Sequence, residues 1–255
     1  MLLCIDIGNT NIVLGLWSDG TWAAHWRIRT AREQMPDEYF VLLQALLRET
    51  GHTMSDIDRV TIGSVVPPLT TVFAELFERY AGTTPLIVGP GVRTGLRIRI
   101  DNPVELGADL VANAVAAFER FHSACIVVDF GTATTFSAVS ADGDFLGVAI
   151  ALGLGVAAEA VASRTAQLPR VSLAPPPAAI GKNTIHSMQS GLILGYVGLV
   201  EGLIRRIRTE LGGQAQVIAT GGLSETLAPL TLEIPLVDPW LTLEGLRIIS
   251  QRNPG

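Results

Sequence analysis

Lysine is nearly missing from this chain: among 18 basic residues, Lys182 is the only lysine. A codon bias toward arginine explains that cheaply, so the scarcity says little about function. Cysteine is scarce as well. Cys4 and Cys125 both lie in apolar, strand-like stretches and read as two reduced core thiols. Two such isolated residues exclude a thiolate zinc site and a disulfide framework. The histidines, His25, His52, His122 and His186, have no metal-ligand spacing between them. Positive charge is in deficit, with a net charge of −6, which argues against a nucleic-acid partner because that needs a basic face. An anionic small substrate stays open, since a site needs only local donors. A basic-then-apolar leader is missing from the start, where Asp6 comes too early for one, so a cytoplasmic location is expected. One long apolar run, Phe145 to Ala162, approaches the length of a membrane span. Asp142 and Asp144 crowd its start, Glu159 interrupts it, and Gly147, Gly153 and Gly155 divide it. A strand, a glycine turn and a buried helix fit it better, and no membrane partner is expected.

What remains is 255 residues, 48% hydrophobic and 16% charged, enough to bury a substantial core. The chain turns on Cys4-Ile5-Asp6-Ile7-Gly8-Asn9-Thr10-Asn11. An apolar strand runs into a carboxylate, a glycine and small polar residues, and a second apolar strand follows. Free N–H groups and a glycine that admits close approach suit a phosphate, and Asp6 suits a metal or water. Asp-x-Gly-Asn is also an ordinary hairpin turn, and one copy does not separate the two. A second copy does more. Ile126 to Thr135 repeats the pattern as Asp129-Phe130-Gly131-Thr132-Ala133-Thr134, about half the chain later, which points to an internal duplication. Ile218-Ala219-Thr220-Gly221-Gly222 then supplies a strand entering a Gly-Gly turn.

Taken in order, strands are predicted at about 2–8, 11–17 and 21–28, with Asp19-Gly20 as a hairpin turn. Trp17, Trp22 and Trp26 are expected to pack on or beside this sheet. A helix over 36–50, a strand over 59–65, a helix over 68–80 and a short strand at 86–88 complete a βββαβα order. A basic loop, Arg93 to Ile100, leads into Asp101-Asn102-Pro103 and then Gly107-Ala108-Asp109. Asp109 opens a helix, where an acid also serves as N-cap or first-turn residue. Strands at about 124–130, 134–140 and 144–150 and a helix over 154–165 begin the second half. Residues 169–177 form a proline-rich, extended and mobile connection. Gly181-Lys182-Asn183-Thr184 opens a helix through 207, with Asn183 or Thr184 as its cap. In that helix Gly191, Gly195, Gly198 and Gly202 make a small-residue face suited to close packing or a dimer interface. A strand near 215–220 and a helix beyond Leu241 finish the chain.

Two phosphate turns and a late Gly-Gly turn resemble the order of parts in the acetate and sugar kinase, Hsp70 and actin superfamily. That resemblance implies an α/β, actin-like (ribonuclease H-like) duplicated fold of two lobes, 1–115 and 116–255, each with a mixed five-stranded sheet flanked by helices. The match to one family is closer. Asp6-x-Gly-Asn-Thr, Asp101-Asn102-Pro103, Gly107-Ala108-Asp109, Asp129-Phe130-Gly131-Thr132-Ala133-Thr134, Gly181-Lys182-Asn183-Thr184 and Thr220-Gly221-Gly222 resemble, end to end and in order, the type III pantothenate kinases. The resemblance implies ATP-dependent phosphorylation of the pantothenate hydroxyl, the first committed step toward coenzyme A. It also implies a homodimer, Mg²⁺ carried on ATP, and a monovalent cation such as K⁺ or NH₄⁺. By resemblance Asp109 is the proton acceptor. Asp6, Ile7, Gly8, Asn9, Thr10 and Asn11, with Thr132, Gly221 and Gly222, hold ATP. Asp129 ligates the monovalent cation. Gly107, Ala108, Leu110, Ile100 and Thr184 join Asp109 at the pantothenate positions.

Three positions depart from the family pattern. Gly-x-Asp is usually followed by Arg, a natural partner for the pantothenate carboxylate, and here that residue is Leu110. A tyrosine often found at the equivalent of Ile100 is missing. Ala151-Leu152-Gly153 replaces the usual Ala-Pro-Gly. The basic loop offers a substitute for the missing arginine, because strand alternation places Arg97 and Arg99 on one face. The competing reading is a catalytically weak, nucleotide-binding relative that acts as an accessory or regulatory protein.

Overall fold

The computed structural model describes residues 1–254. Contacts divide the chain into two compact units. One is built from Met1–Gly95, Asp101–Ala116 and the segment from Leu241 on; the other from Leu96–Ile100 and Ala117–Trp240.

The first unit opens with β1 (Leu2–Ile7), β2 (Asn11–Ser18) and β3 (Thr21–Arg29), an antiparallel meander. Asp19 and Gly20 both take positive φ at the β2–β3 corner, as a tight two-residue hairpin turn requires. α1 (Pro36–Glu49), β4 (Arg59–Ser64), α2 (Pro67–Tyr80) and β5 (Leu86–Ile87) follow. A proline occupies the first turn of both helices, where its missing N–H costs nothing. β4 and β5 join in parallel, giving the order β3-β2-β1-β4-β5. β1 lies in the middle, so every residue of Leu2–Ile7 is buried except Asp6, which is half-buried. The core beneath it gathers Leu3, Ile5, Ile7, Leu14, Leu16 and Ile62 from the sheet with Tyr39, Leu43, Phe73 and Phe77 from α1 and α2. The tryptophans pack as expected: Trp17 and Trp22 meet edge to face at 5.1 Å between ring centres.

β6 (Arg97–Ile98) and α3 (Ala108–Phe121) lead into the second unit. There β7 (Cys125–Phe130), β8 (Ala133–Val139) and β9 (Asp144–Leu152) repeat the meander, and α4 (Leu154–Arg164) follows. α5 (Thr184–Gln189), a π-helical stretch (Ser190–Leu194) and α6 (Gly195–Glu210) run on as one helical segment. β10 (Gln216–Thr220), the single-turn α7 (Ser224–Leu227) and β11 (Leu236–Val237) complete the unit. Its sheet order is β11-β10-β7-β8-β9-β6. Without β6 this is the first sheet repeated strand for strand, with β7 in the place of β1. β7 has the same burial as β1, again with a half-buried aspartate, Asp129, at the fifth of six positions. The duplication visible in the sequence is therefore a duplication of topology.

Three features differ from expectation, and the first two have simple causes. The second sheet has six strands rather than five, because Arg97–Ile98 pairs in parallel with Asp144–Phe145. The Arg97 guanidinium grips the Asp144 carboxylate with bonds of 2.6 and 3.2 Å and also reaches the Asp142 carbonyl at 3.0 Å. The last helix, α8 (Leu241–Arg252), groups with the first unit although it follows the second in sequence. Gly245 is why: a methyl there would collide with the Ala112 carbonyl, so the backbones of α8 and α3 touch. Thr242 adds a 2.8 Å hydrogen bond to the Asn113 side chain, and Arg59 donates to the Ser250 and Asn253 carbonyls. Third, the helix opened by Asn183 runs past 207 to Glu210.

The apolar run from 145 is β9 followed by α4, as read from its charges and glycines. The segment Thr184–Glu210 is the one helix among the described residues with the length and composition to cross a membrane. Its inner face, Ile193, Tyr196, Val197, Val200 and Ile204, is packed into the core of the second unit. The proline-rich connection before it has no regular structure, but the buried Gln189 side chain donates to the Ser172 carbonyl at 3.2 Å.

Candidate active site

In the first unit the turn between β1 and β2 closes on itself. Gly8 N–H donates to the Asn11 carbonyl at 3.0 Å, drawing residues 8–11 into a tight loop. Thr30, past the end of β3, braces it: its N–H donates to the Thr10 carbonyl (3.0 Å) and its hydroxyl to the Gly8 carbonyl (2.7 Å). Asn9, Thr10 and Asn11 stay exposed, and Asp6 opposes Val13 and Gly63 across the sheet. Small polar side chains on a braced backbone can meet an anion without prior rearrangement.

Asp109 stands at the start of α3 in the same unit. It is not the N-cap, because the first helical bond, from Val111 N–H, goes to the Gly107 carbonyl (3.1 Å). Its carboxylate turns back to accept from Leu110 N–H at 2.8 Å. Gly107 leaves room for that pose, since a side chain there would run into the Asp109 carboxylate. Burial pushes the Asp109 carboxyl above its usual range, and hydrogen bonds from the Leu110 and Asp109 N–H groups oppose the shift only partly. Among the described residues Asp109 makes no ion pair. Asp109 is half-buried, and a carboxylate partly shielded from water and without a cation is a stronger proton acceptor than one in water. Ala108 beside it is buried, and Leu110 is half-buried.

In the second unit Asp129 pairs with Thr220 in the parallel ladder between β7 and β10. That register brings two separate sequence motifs together. Gly221, with φ of 89°, lies so close that a methyl on it would meet Asp129 Oδ1 and the Phe130 backbone. Gly131, Thr132 and Gly222 are exposed around this corner. Gly153, retained from the altered Ala151-Leu152-Gly153 triplet, abuts the carbonyls of Gly131 and Thr132 in the same close fashion. Asn183 caps α5 by accepting from His186 N–H at 2.8 Å, leaving Thr184 exposed at the first position. Ile100 is half-buried just past β6.

Sequence reasoning missed Tyr196. Its hydroxyl donates to the Leu152 carbonyl at 2.9 Å and lies 2.5 Å from Thr134 Oγ1, whose own hydroxyl can donate back, joining the ends of β8 and β9 behind the Thr132 turn. A tyrosine among glycines on an apolar helix gives no local signal of that role. The offered arginine substitutes are also spoken for. Arg97 is bound by Asp144, whose carboxyl it holds below its usual range, and Arg99 reaches the same carboxylate at 3.3 Å. Both do lie on one face, as alternation predicts, but that face meets Asp144. The two cysteines are free and buried, and burial pushes the Cys125 thiol up to about 12, as suits inert core residues.

Comparison with known proteins bears directly on this arrangement. A family model described as type III pantothenate kinase matches residues 2–206. Type III pantothenate kinases of Moorella thermoacetica and Roseiflexus sp. are 50% and 52% identical over 253 residues, covering 99% of this chain and 100% and 99% of theirs. Among solved structures, a Campylobacter jejuni protein described as a Baf family transcriptional activator aligns over 99% of this chain and 98% of its own. The TM-score is 0.63 at 19% identity. A protein described as a 2-dehydro-3-deoxygalactonokinase from Sinorhizobium meliloti aligns over 98% of this chain and 96% of its own, with a TM-score of 0.59 at 15% identity. At such identities these two speak for the fold alone.

The raised carboxyl of Asp109 has a consequence for stability. Between the unfolded pKa and the higher folded one, the native state binds more protons than the unfolded state, so stability falls as pH rises through that window. At neutral pH the ionised Asp109 therefore costs stability. Asp109→Asn should melt at a higher temperature than the parent at pH 7, with the gap closing as pH drops below about 4. Melting curves at the two pH values check this; equal midpoints at pH 7 would contradict a carboxyl raised by partial burial without a cation partner.

Proposed function

Because the chain belongs to the type III pantothenate kinase family, whose members phosphorylate pantothenate with ATP in coenzyme A biosynthesis, we propose a division of labour for its site residues. The enzyme is an ATP-dependent phosphotransferase with an alcohol acceptor, and a divalent metal accompanies the nucleotide. Relatives at about 50% identity over the full chain do not favour the accessory-protein reading.

Asp109 takes the proton of the pantothenate hydroxyl as that oxygen attacks the γ-phosphorus and the β–γ bridging oxygen departs with ADP. Its half-buried, cation-free setting supports this reading, because phosphoryl transfer needs one positioned base and otherwise mostly orientation and charge stabilisation. The turn of Asp6, Ile7, Gly8, Asn9, Thr10 and Asn11 holds phosphate oxygens through backbone N–H groups and hydroxyls, and Thr132 contributes another hydroxyl. The Gly221-Gly222 turn accepts adenosine, where the lack of side chains permits close approach. Gly107, Ala108, Leu110, Ile100 and Thr184 contact pantothenate. Asp129 holds a monovalent cation, K⁺ or NH₄⁺. A carboxylate oxygen is a hard ligand that suits such an ion. Such an ion offsets phosphate charge. A cytoplasmic location suits an enzyme that uses ATP and a small anionic substrate.

A coupled assay of ADP release tests these roles. Asp109→Asn should cut kcat by about a hundredfold or more with ATP affinity nearly unchanged, since it keeps size and removes the base. Retention of more than a tenth of parental kcat would assign Asp109 a merely structural place. Run in K⁺, in NH₄⁺ and in a bulky organic cation, the assay should lose most activity only in the last; equal rates would remove the cation from Asp129.

The working form is a homodimer packed through the small-residue face of the long helix. Gly191, Gly195, Gly198 and Gly202 have open space where a side chain would start, and Leu194 and Leu199 between them are 36% and 41% exposed. Ile150 and Leu152 of β9 in the same unit are more exposed still. Apolar groups and close-approach glycines together fit a second copy of this chain. Light scattering should give twice the 27.1 kDa chain mass, and Leu199→Glu should return it to one; a monomeric parent protein would sink the assembly.

Leu110 leaves the pantothenate carboxylate without the family's guanidinium. With Arg97 and Arg99 engaged by Asp144, neutral donors take its place. Leu110→Arg should then lower KM for pantothenate by about tenfold or more with kcat little changed, because a charge-assisted bond contributes about 1.5–3 kcal/mol. An unchanged KM would mean that the carboxylate is held elsewhere.

A further inference from the structure

The phosphate turn of the first unit is made of neutral groups around the carboxylate of Asp6, yet it would receive the most highly charged part of ATP. The structure supplies a cation that no motif announces. Arg32 lies in the short connection between β3 and α1, and its Nη2 donates to Asn9 Oδ1 at 2.7 Å. Among the described residues its guanidinium has no carboxylate partner, unlike those of Arg79, Arg97, Arg120 and Arg247. We infer that Arg32 is a phosphate-binding residue of this kinase, placing a guanidinium on the outer phosphates of ATP beside the Asp6–Asn11 turn; this rests on that turn being the phosphate site.

The connection is built to hold Arg32 there. Thr30 is bonded twice to the turn, through its N–H to the Thr10 carbonyl and its hydroxyl to the Gly8 carbonyl. Ala31 is pinned from the other side: the Tyr39 hydroxyl accepts from its N–H (3.2 Å) and donates to its carbonyl (2.9 Å). Tyr39 is fully buried and packs on Phe73 with ring centres 4.7 Å apart. The two residues before Arg32 are thus tied to the turn and to the core. The arginine side chain itself stays exposed, with one donor on Asn9 and others left to meet oxygens in a planar fork. Asn9 orients the guanidinium without neutralising it. A carboxylate in that place would cancel the charge a phosphate needs.

Binding measured by calorimetry with two probes, ATP and adenosine, tests the assignment. Arg32→Ala should weaken ATP by about tenfold to a hundredfold, while adenosine affinity stays within about twofold. Arg32→Lys should fall between, keeping charge without the fork, and the melting temperature of both variants should match the parent. If Arg32→Ala binds ATP like the parent while Thr10→Ala binds it poorly, the turn stands and the role of Arg32 is wrong. Equal weakening of ATP and adenosine would make Arg32 a structural brace and overturn the proposal. Unchanged ATP binding in both Arg32→Ala and Thr10→Ala would overturn the phosphate turn itself, and Arg32 with it.

Discussion

A carboxylate at the open end of a strand buried on both faces is the constraint on which the rest of this structure depends. Asp6 is the next-to-last residue of β1 and Asp129 of β7, each as the one half-buried residue of an otherwise buried six-residue strand. A slip of one residue in either strand would drive the aspartate into the core and turn an apolar side chain out. Burying an unpaired carboxylate costs far more than any loop contact returns. The hydrophobic core therefore fixes where each carboxylate sits, and the turns that follow inherit that precision. This is why the same arrangement can be written twice in one chain with little shared sequence beyond Asp-x-Gly.

The arginines sort by what they face. Arg97 with Asp144, Arg120 with Asp238, and Arg205 and Arg208 with Glu233 form pairs at partly exposed positions. Pairs of that kind add little stability, because solvent screens them and long side chains lose freedom. Their effect is geometric. Arg97, with Arg99 on the same carboxylate, secures a two-residue edge strand beyond its ladder bonds. Arg32 differs in being tied to an amide oxygen, which orients a charge and leaves it available.

Much of the fold was legible because each element has a local cause. The apolar runs leading into Asp6 and Asp129 and the Asp19-Gly20 corner all act over a few residues, and the elements fall within a few residues of where those signals put them. What was not legible depends on contacts distant in sequence. Nothing near Gly245 says that α8 returns to lie on Ala112, or that Arg97 finds Asp144 and adds a sixth strand. The same holds at the candidate site. Asp109 and the glycines around it carry a motif, whereas Tyr196 and Arg32 act through partners 62 and 23 residues away. Alternation correctly put Arg97 and Arg99 on one face; it had no means of showing that an acid already waited there.

Leu110 bears on both the charge and the stability of the turn that carries Asp109. A guanidinium next to Asp109 would stabilise its ionised form and pull the carboxyl down toward its ordinary range. Leucine does neither, so burial acts on Asp109 opposed only by the N–H groups at the start of α3. A protein that partly buries a carboxylate with no cation beside it gives up stability at neutral pH, and on the proposed reading of the site the missing cation is also a missing anchor for the anionic substrate. Both losses fall on the same turn of α3, and both leave the carboxylate more basic. Within the fold, that turn can bear the cost because its backbone is held independently: Gly107 accepts from Val111, and α8 is packed directly against α3 through Gly245. The rigidity of that turn comes from helix packing behind it, and the raised carboxyl of Asp109 comes from burial that no neighbouring cation offsets.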